Sequence, residues 1–196
     1  IMNPPYCKVG KETQYARVME DVVHGQPNMY AFFLAAVAQM LRPGGSLVAI
    51  TPRSFCSGPY FRGFRKWFFE RMGLDHIHLF ESRTAAFRDV LQESLITASH
   101  RLGRPSECVT ITTSHGLDMR MEKPCTLPIS TVIDNSSGHS TVRIPSSAED
   151  LRITEIVESW PDRFHDLGLR VSTGPVVMFR ATEFLVPKPN KDTVPL

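Results

Sequence analysis

The chain has 196 residues, 42% hydrophobic and 21% charged, with 22 Lys and Arg against 20 Asp and Glu for a net charge of +2. This is the composition of a globular chain of one ordinary domain or slightly more, and it excludes a disordered segment and a polybasic binder acting through bulk charge. The longest apolar run, residues 29–38, is too short to span a bilayer, and no cationic segment followed by an apolar run opens the chain, so a cytoplasmic protein is expected.

Ile1 and Met2 read as the end of a buried strand, and Asn3, Pro4, Pro5 and Tyr6 follow them. At the C-terminal edge of a parallel sheet, where α/β folds bind ligands, such a tetrad can do specific chemistry. The two prolines fix φ and remove two backbone donors, leaving rigid carbonyls that only accept. The Asn3 amide oxygen is a further acceptor. Two acceptors at fixed spacing suit an exocyclic amino group, which has two hydrogens to give. Drawing on both keeps electron density on the nitrogen and makes it a better nucleophile without a side-chain base. Tyr6 offers a flat face on which a heterocycle can stack. The chemistry this suits is methyl transfer to an amino group on a planar ring. A plain Pro-Pro turn at the surface is the competing reading of the tetrad alone.

Residues 28–41 are apolar almost all round, with Asn28 as N-cap, and predict a buried helix. Arg42-Pro43-Gly44-Gly45 stops it. Residues 46–51 are a short buried strand, and helix, glycine turn and strand in succession suggest a βαβ crossover and a parallel sheet. A second helix is expected over 60–72, closed by Gly73, with Phe61, Phe64, Trp67 and Phe68 on one side and Arg62, Arg65 and Lys66 on another. Residues 75–80 predict a strand, 82–88 a loop and 93–101 another strand, the two strands forming an antiparallel pair at a sheet edge. Beyond Pro105 short strands are expected at 109–113 and 142–144, a loop at 134–140, and a helix over 148–160 capped by Ser146 or Ser147 with Glu149 and Asp150 in its first turn. Residues 187–196 have three prolines and no periodicity.

Cys7, Cys56, Cys108 and Cys125 do not pair at zinc-knuckle spacing and read as reduced thiols. His76 and His78 share one face of a strand, without a third ligand near them in sequence, and read as polar strand positions rather than a metal pair.

The tetrad, followed by 30–33, by Leu41-Arg-Pro-Gly-Gly-Ser-Leu-Val-Ala-Ile-Thr-Pro-Arg-Ser-Phe55, by Gly58-Pro-Tyr-Phe-Arg-Gly-Phe-Arg-Lys-Trp67 and by Phe80-Glu-Ser-Arg83 with Phe87, resembles the adenine-N6 DNA methyltransferases of restriction-modification and phage-defence systems. The resemblance is specific to about Arg101 and weaker over 171–180. It implies an α/β chain forming the C-terminal half of a Rossmann-like methyltransferase domain over 1–104, and an α+β segment leading into target recognition over 105–196. It implies that Asn3 and the Pro4 carbonyl hold the adenine amino group, that Pro5 stiffens the turn, and that Tyr6 and Phe87 contact the two faces of an extruded base. Lys8, Arg53, Arg62, Arg65, Lys66 and Arg88 are candidates for phosphate contacts. Between Arg53 and Arg88 seven Lys and Arg face three Asp and Glu, a local +4 within a chain of +2.

S-adenosylmethionine is the implied cofactor and double-stranded DNA the implied partner, with a bacterial or archaeal cytoplasmic setting. The family's glycine-rich cofactor loop lies before the tetrad, and no Gly-x-Gly occurs in this sequence. The chain is therefore expected to be a piece of a longer enzyme, inactive alone, liable to self-associate through a cut sheet edge, and accompanied by a restriction or specificity subunit. Two other functions fit the tetrad less well: methylation of protein glutamine or of RNA bases, and a non-catalytic DNA-binding module.

Overall fold

The structure is a computed structural model that describes residues 1–22, 28–80, 93–103, 106–115, 124–162, 164, 166–170 and 186. It divides into two compact units, Ile1–Arg152 and Ile153–Leu196.

In the first unit the chain leaves the tetrad through a short helix, α1 (Gln14–Val18), and enters α2 (Met29–Met40). Asn28 caps α2 as its composition demands, its side chain accepting from the Tyr30 amide. Tyr30, Ala31, Phe32, Leu34, Ala35 and Ala38 are buried along α2. Gly44, at φ +78°, makes the turn after it in a conformation that side chains with a Cβ rarely adopt. The chain then forms β1 (Ser46–Pro52), the short helix α3 (Ser54–Ser57), a 3₁₀ turn (Pro59–Phe61), α4 (Arg62–Phe69), β2 (Met72–Phe80) and β3 (Ser94–Arg101). Next come β4 (Cys108–Ser114), β5 (Cys125–Pro128), a turn of helix α5 (Ile129–Val132) and a two-stranded ribbon, β6 (Ile133–Asp134) with β7 (Thr141–Val142).

Five strands form one sheet in the order β1-β3-β2-β4-β5. β3 lies antiparallel between β1 and β2, so β1 and β2 run in the same direction, and β4 runs parallel to β2. The helix-turn-strand succession sits in a sheet whose pairs are mostly antiparallel. Met2 bridges Ala49 in parallel, donating to the Val48 carbonyl at 2.9 Å and accepting from the Ile50 amide at 3.1 Å. The residues before the tetrad are therefore a strand end, as their apolar character predicts. The C-terminal ends of β1, β2 and β4, and the exit of Met2, all lie at one edge of the sheet.

Three expectations change here. The antiparallel pair is not at a sheet edge, because β4 and β5 extend the sheet beyond β2. The boundary expected at residue 104 falls inside the sheet: β4 is hydrogen-bonded to β2 from His76 opposite Thr110 to Phe80 opposite Ser114. Gly73 does not close a helix. It lies in β2, where a Cβ would collide with the His100 ring and the Ser106 hydroxyl, so the absent side chain admits the imidazole that meets Asp75 at 2.8 Å.

The helix α6 (Ala148–Glu158) carries the expected cap in reciprocal form: the Ser147 hydroxyl accepts from the Asp150 amide, and the Asp150 carboxylate accepts from the Ser146 and Ser147 amides. The Ser146 hydrogen bonds hold the Asp150 carboxyl below its ordinary pKa. The unit boundary falls within α6, which buries none of its residues. The described part of the second unit beyond α6 is a turn around Gly168, at φ +71°. Residues 82–88 and 171–180 lie outside the described residues. No described helix is long and apolar enough to cross a membrane.

Candidate active site

The tetrad leaves the sheet at the C-terminal edge beside the end of β1. Pro4 is buried, Asn3 and Pro5 are exposed, and Tyr6 is half-buried. The Tyr6 hydroxyl has two acceptors in reach, the Ile50 carbonyl at 2.9 Å and Asn3 Oδ1 at 3.0 Å. Those contacts tie the ring to β1 and to the side chain expected to meet an amino group. Burial raises the Tyr6 pKa, so the phenol stays protonated and available as a donor.

The chain after Tyr6 is held just as closely. The Cys7 carbonyl accepts from the Met29 amide at 2.9 Å, and Lys8 bridges Asn28. The start of α2 is thus fastened to the exit of the tetrad, which places Tyr30 against Tyr6 with ring centroids 6.2 Å apart and planes at 86°. Tyr30 is fully buried. Its hydroxyl meets Ser54 Oγ at 3.1 Å, and its ring stacks on Phe61 at 5.4 Å. Burial carries its pKa far above the ordinary value despite the Ser54 hydrogen bond.

Sequence reasoning used Tyr30 only as part of a matching stretch and gave Ser54 and Phe61 no role at the site. A signal existed for Tyr30: a tyrosine on a helix buried all round needs a partner for its hydroxyl.

The basic candidates separate. Lys8, Arg62 and Lys66 are exposed, and Arg62 and Lys66 are one turn apart on α4. Arg53 is exposed but ion-paired with Glu93 at 3.3 Å. Arg65 is not available to a phosphate. It is 1% exposed, with Nη1 donating to the Phe55 and Gly58 carbonyls at 2.9 and 2.8 Å and Nε to the His139 carbonyl at 3.0 Å. The reason is visible in spacing: 61, 64, 65 and 68 follow i, i+3, i+4, i+7, which puts Arg65 on the buried face with the three phenylalanines rather than with Arg62 and Lys66. Burial pulls its guanidinium pKa down, and three carbonyls take the place of water. Phe87 and Arg88 lie outside the described residues.

The histidine pair is structural. His76 Nε2 and His78 Nδ1 both meet Thr112 Oγ1, at 2.7 and 2.9 Å, and His78 Nε2 meets Ser114 Oγ at 3.0 Å. Burial lowers both imidazole pKa values, and for His78 the neighbouring His76 adds to the effect. Among the described residues no group of three or more His, Cys, Asp or Glu is placed to hold a metal. All four cysteines are free, and burial pushes the Cys56 thiol up to about 12, which leaves it an inert core residue.

A mixed sheet with β3 set antiparallel between β1 and β2, and with the tetrad at its C-terminal edge, defines an α/β fold. The comparisons narrow that class. Residues 1–87 match the family described as Eco57I restriction-modification methylase.

The whole chain is 34% identical to the type II methyltransferase M.BsuBI of Bacillus subtilis and 33% identical to the type II methyltransferase M.PstI of Providencia stuartii. It spans 39% of the length of each. Among solved structures, the type IIG restriction endonuclease BpuSI shares the fold over 65% of this chain and 18% of its own, at a TM-score of 0.53 and 20% identity. A chain of a type I restriction-modification system shares it over 80% of this chain and 40% of its own, at a TM-score of 0.53 and 14% identity.

Proposed function

We propose that this chain supplies the acceptor side of a DNA methyltransferase of a restriction-modification system, which transfers a methyl group from S-adenosylmethionine to adenine N6 in a specific duplex sequence. The observation that carries the reading is the tetrad's setting: Asn3 is exposed at the C-terminal sheet edge, Pro4 is buried, and the Tyr6 hydroxyl is tied to β1 through the Ile50 carbonyl. The kinship to type II methyltransferases supports it.

The adenine must leave the duplex for its amino group to be reached. Its ring then lies on Tyr6. Asn3 Oδ1 and the Pro4 carbonyl accept the two amino hydrogens, which holds the nitrogen lone pair out of the ring and toward the incoming methyl carbon. The amine so held would be ready to take a methyl group from a bound donor, and the surplus proton would leave the methylated nitrogen to solvent. Phe87 is proposed as the second aromatic contact to the base. Bound S-adenosylmethionine supplies an electrophilic methyl on sulfonium. What the tetrad's residues supply is binding and activation of the acceptor amine. Lys8, Arg62 and Lys66, with Arg53 once released from Glu93, are proposed to meet phosphates. The resemblance in fold to a chain of a type I system supports a further subunit as a partner.

The test is methylation of unmodified genomic DNA by the full-length protein with labelled S-adenosylmethionine, followed by nucleoside analysis. N6-methyl-2′-deoxyadenosine in the product is expected, and methylation of cytosine only, or of no base, overturns the reading. Asn3→Ala is expected to lower transfer by about 10²-fold or more by removing one preorganised acceptor, with DNA binding retained.

A further inference from the structure

We propose that Tyr30 is a positioning residue for the extruded base: it fixes the Tyr6 ring, and so governs how well the adenine is held outside the duplex rather than how fast it is methylated. The proposal rests on the acceptor reading above and deepens it.

The physical argument starts from what a stacking platform needs. A ring that gains energy by stacking on a base must already be immobile, or its own ordering offsets the gain. The Tyr6 hydroxyl is tied near Ile50 and Asn3, but a tether at one end leaves the ring free to swing about it. The perpendicular contact with Tyr30 at 6.2 Å supplies a second constraint.

Tyr30 can serve as a stop because it is itself over-determined. It is wholly buried, its hydroxyl is engaged by Ser54, and its ring is stacked on Phe61. Ser54 and Phe61 stand at the two ends of the segment leading from β1 to α4. Arg65 clasps that segment through the Phe55 and Gly58 carbonyls. The buried guanidinium thus holds the segment, the segment holds Tyr30, and Tyr30 holds Tyr6. The residue expected from sequence to touch a phosphate serves the base pocket from beneath instead.

The experiment uses the full-length protein and a duplex carrying 2-aminopurine in place of the adenine that the wild type methylates. It is combined with steady-state methylation of the unmodified duplex. Tyr30→Leu removes both ring and hydroxyl and is expected to raise KM for DNA about tenfold, with kcat within about twofold, and to lower the 2-aminopurine signal of extrusion severalfold. Tyr30→Phe keeps the ring and loses the Ser54 bond, and Ser54→Ala loses the same bond from the other side. Each is expected to raise KM about threefold.

If Tyr30→Leu does not fold, as read by circular dichroism, the two milder variants decide. Wild-type KM and extrusion in both, or in a folded Tyr30→Leu, overturn the proposal, as does a fall in kcat at unchanged KM. A wild type that methylates no adenine overturns the acceptor reading and this inference with it, so the two failures are distinguishable.

Discussion

Two polar constellations in the first unit look alike in sequence and differ in what their polar atoms face. At the tetrad, Asn3 is exposed at the sheet edge, with the Tyr6 hydroxyl in reach of its Oδ1 and its amide nitrogen facing water. On β2 and β4, His76, His78, Thr112 and Ser114 face one another, and their ring nitrogens and hydroxyls meet in three hydrogen bonds. Neutral imidazoles allow a consistent run of donors and acceptors along that row. The lesson is that polarity marks a functional position when the fold leaves its hydrogen-bonding capacity open, and a structural one when the fold closes it.

The contrast can be tested in order of expected effect. Substituting Arg65, whose three acceptors are all backbone carbonyls, should be the costliest: Arg65→Leu is expected to lower stability by about 3 kcal/mol in urea denaturation. An unchanged midpoint would show that the clasp does not hold the β1–α4 segment.

His78→Leu keeps the volume but removes the hydrogen bonds to Thr112 Oγ1 and Ser114 Oγ. It should lower stability by about 2 kcal/mol while methylation by the folded fraction stays at the wild-type rate. Asn3→Ala should do the reverse, with lost transfer and an unmoved Tm. A Tm loss for Asn3→Ala and a lost activity for His78→Leu would erase the distinction between the two regions.

The pH dependence carries the same contrast. Both imidazoles have pKa values lowered in the folded state, so they are neutral there, and the stability of the row is fully present above the unfolded-state value of about 6.5. It is lost as pH falls below that value through the folded-state pKa values, where protonation gives Thr112 two donors facing it and two like charges beside it. The Tm of the wild type is expected to drop between pH 7 and pH 5, and the double variant His76→Gln/His78→Gln to show a smaller drop. An equal drop in both would place the titration elsewhere.

The smallest effect belongs to the exposed cations. Lys66→Ala should weaken DNA binding by only a few tenths of a kcal/mol and reduce the slope of log K against log salt by about 1, with no change in Tm. A loss of base extrusion instead would move Lys66 into the pocket.

Much of the site was legible in the linear chain because it rests on covalent facts. Two consecutive prolines dictate rigid acceptor carbonyls wherever they occur, Asn28 before an apolar run dictates a cap, and the capping pattern at Ser147 and Asp150 needs only local geometry. The strands expected at 46–51, 75–80 and 93–101 and the helix expected over 28–41 were readable for the same reason, to within three residues at each end, since local periodicity and turn chemistry suffice.

What the sequence determined, then, is the chemistry on offer: an amide and a proline carbonyl beside a flat phenol, on a chain whose helices and strands are largely written locally. What only the tertiary structure decided is which polar groups remain open. Arg65 and Lys66 are neighbours on one helix with the same charge, yet the fold turns one onto three carbonyls and leaves the other in water. Ile50 reaches Tyr6, and Ser54 and Phe61 reach Tyr30, only because β1 pairs with Met2 and the segment beyond it is folded back. Strand order had the same origin. Whether β2 is an edge depends on β4 arriving from beyond residue 104, and the hydrogen bonds that decide this join residues more than 30 positions apart.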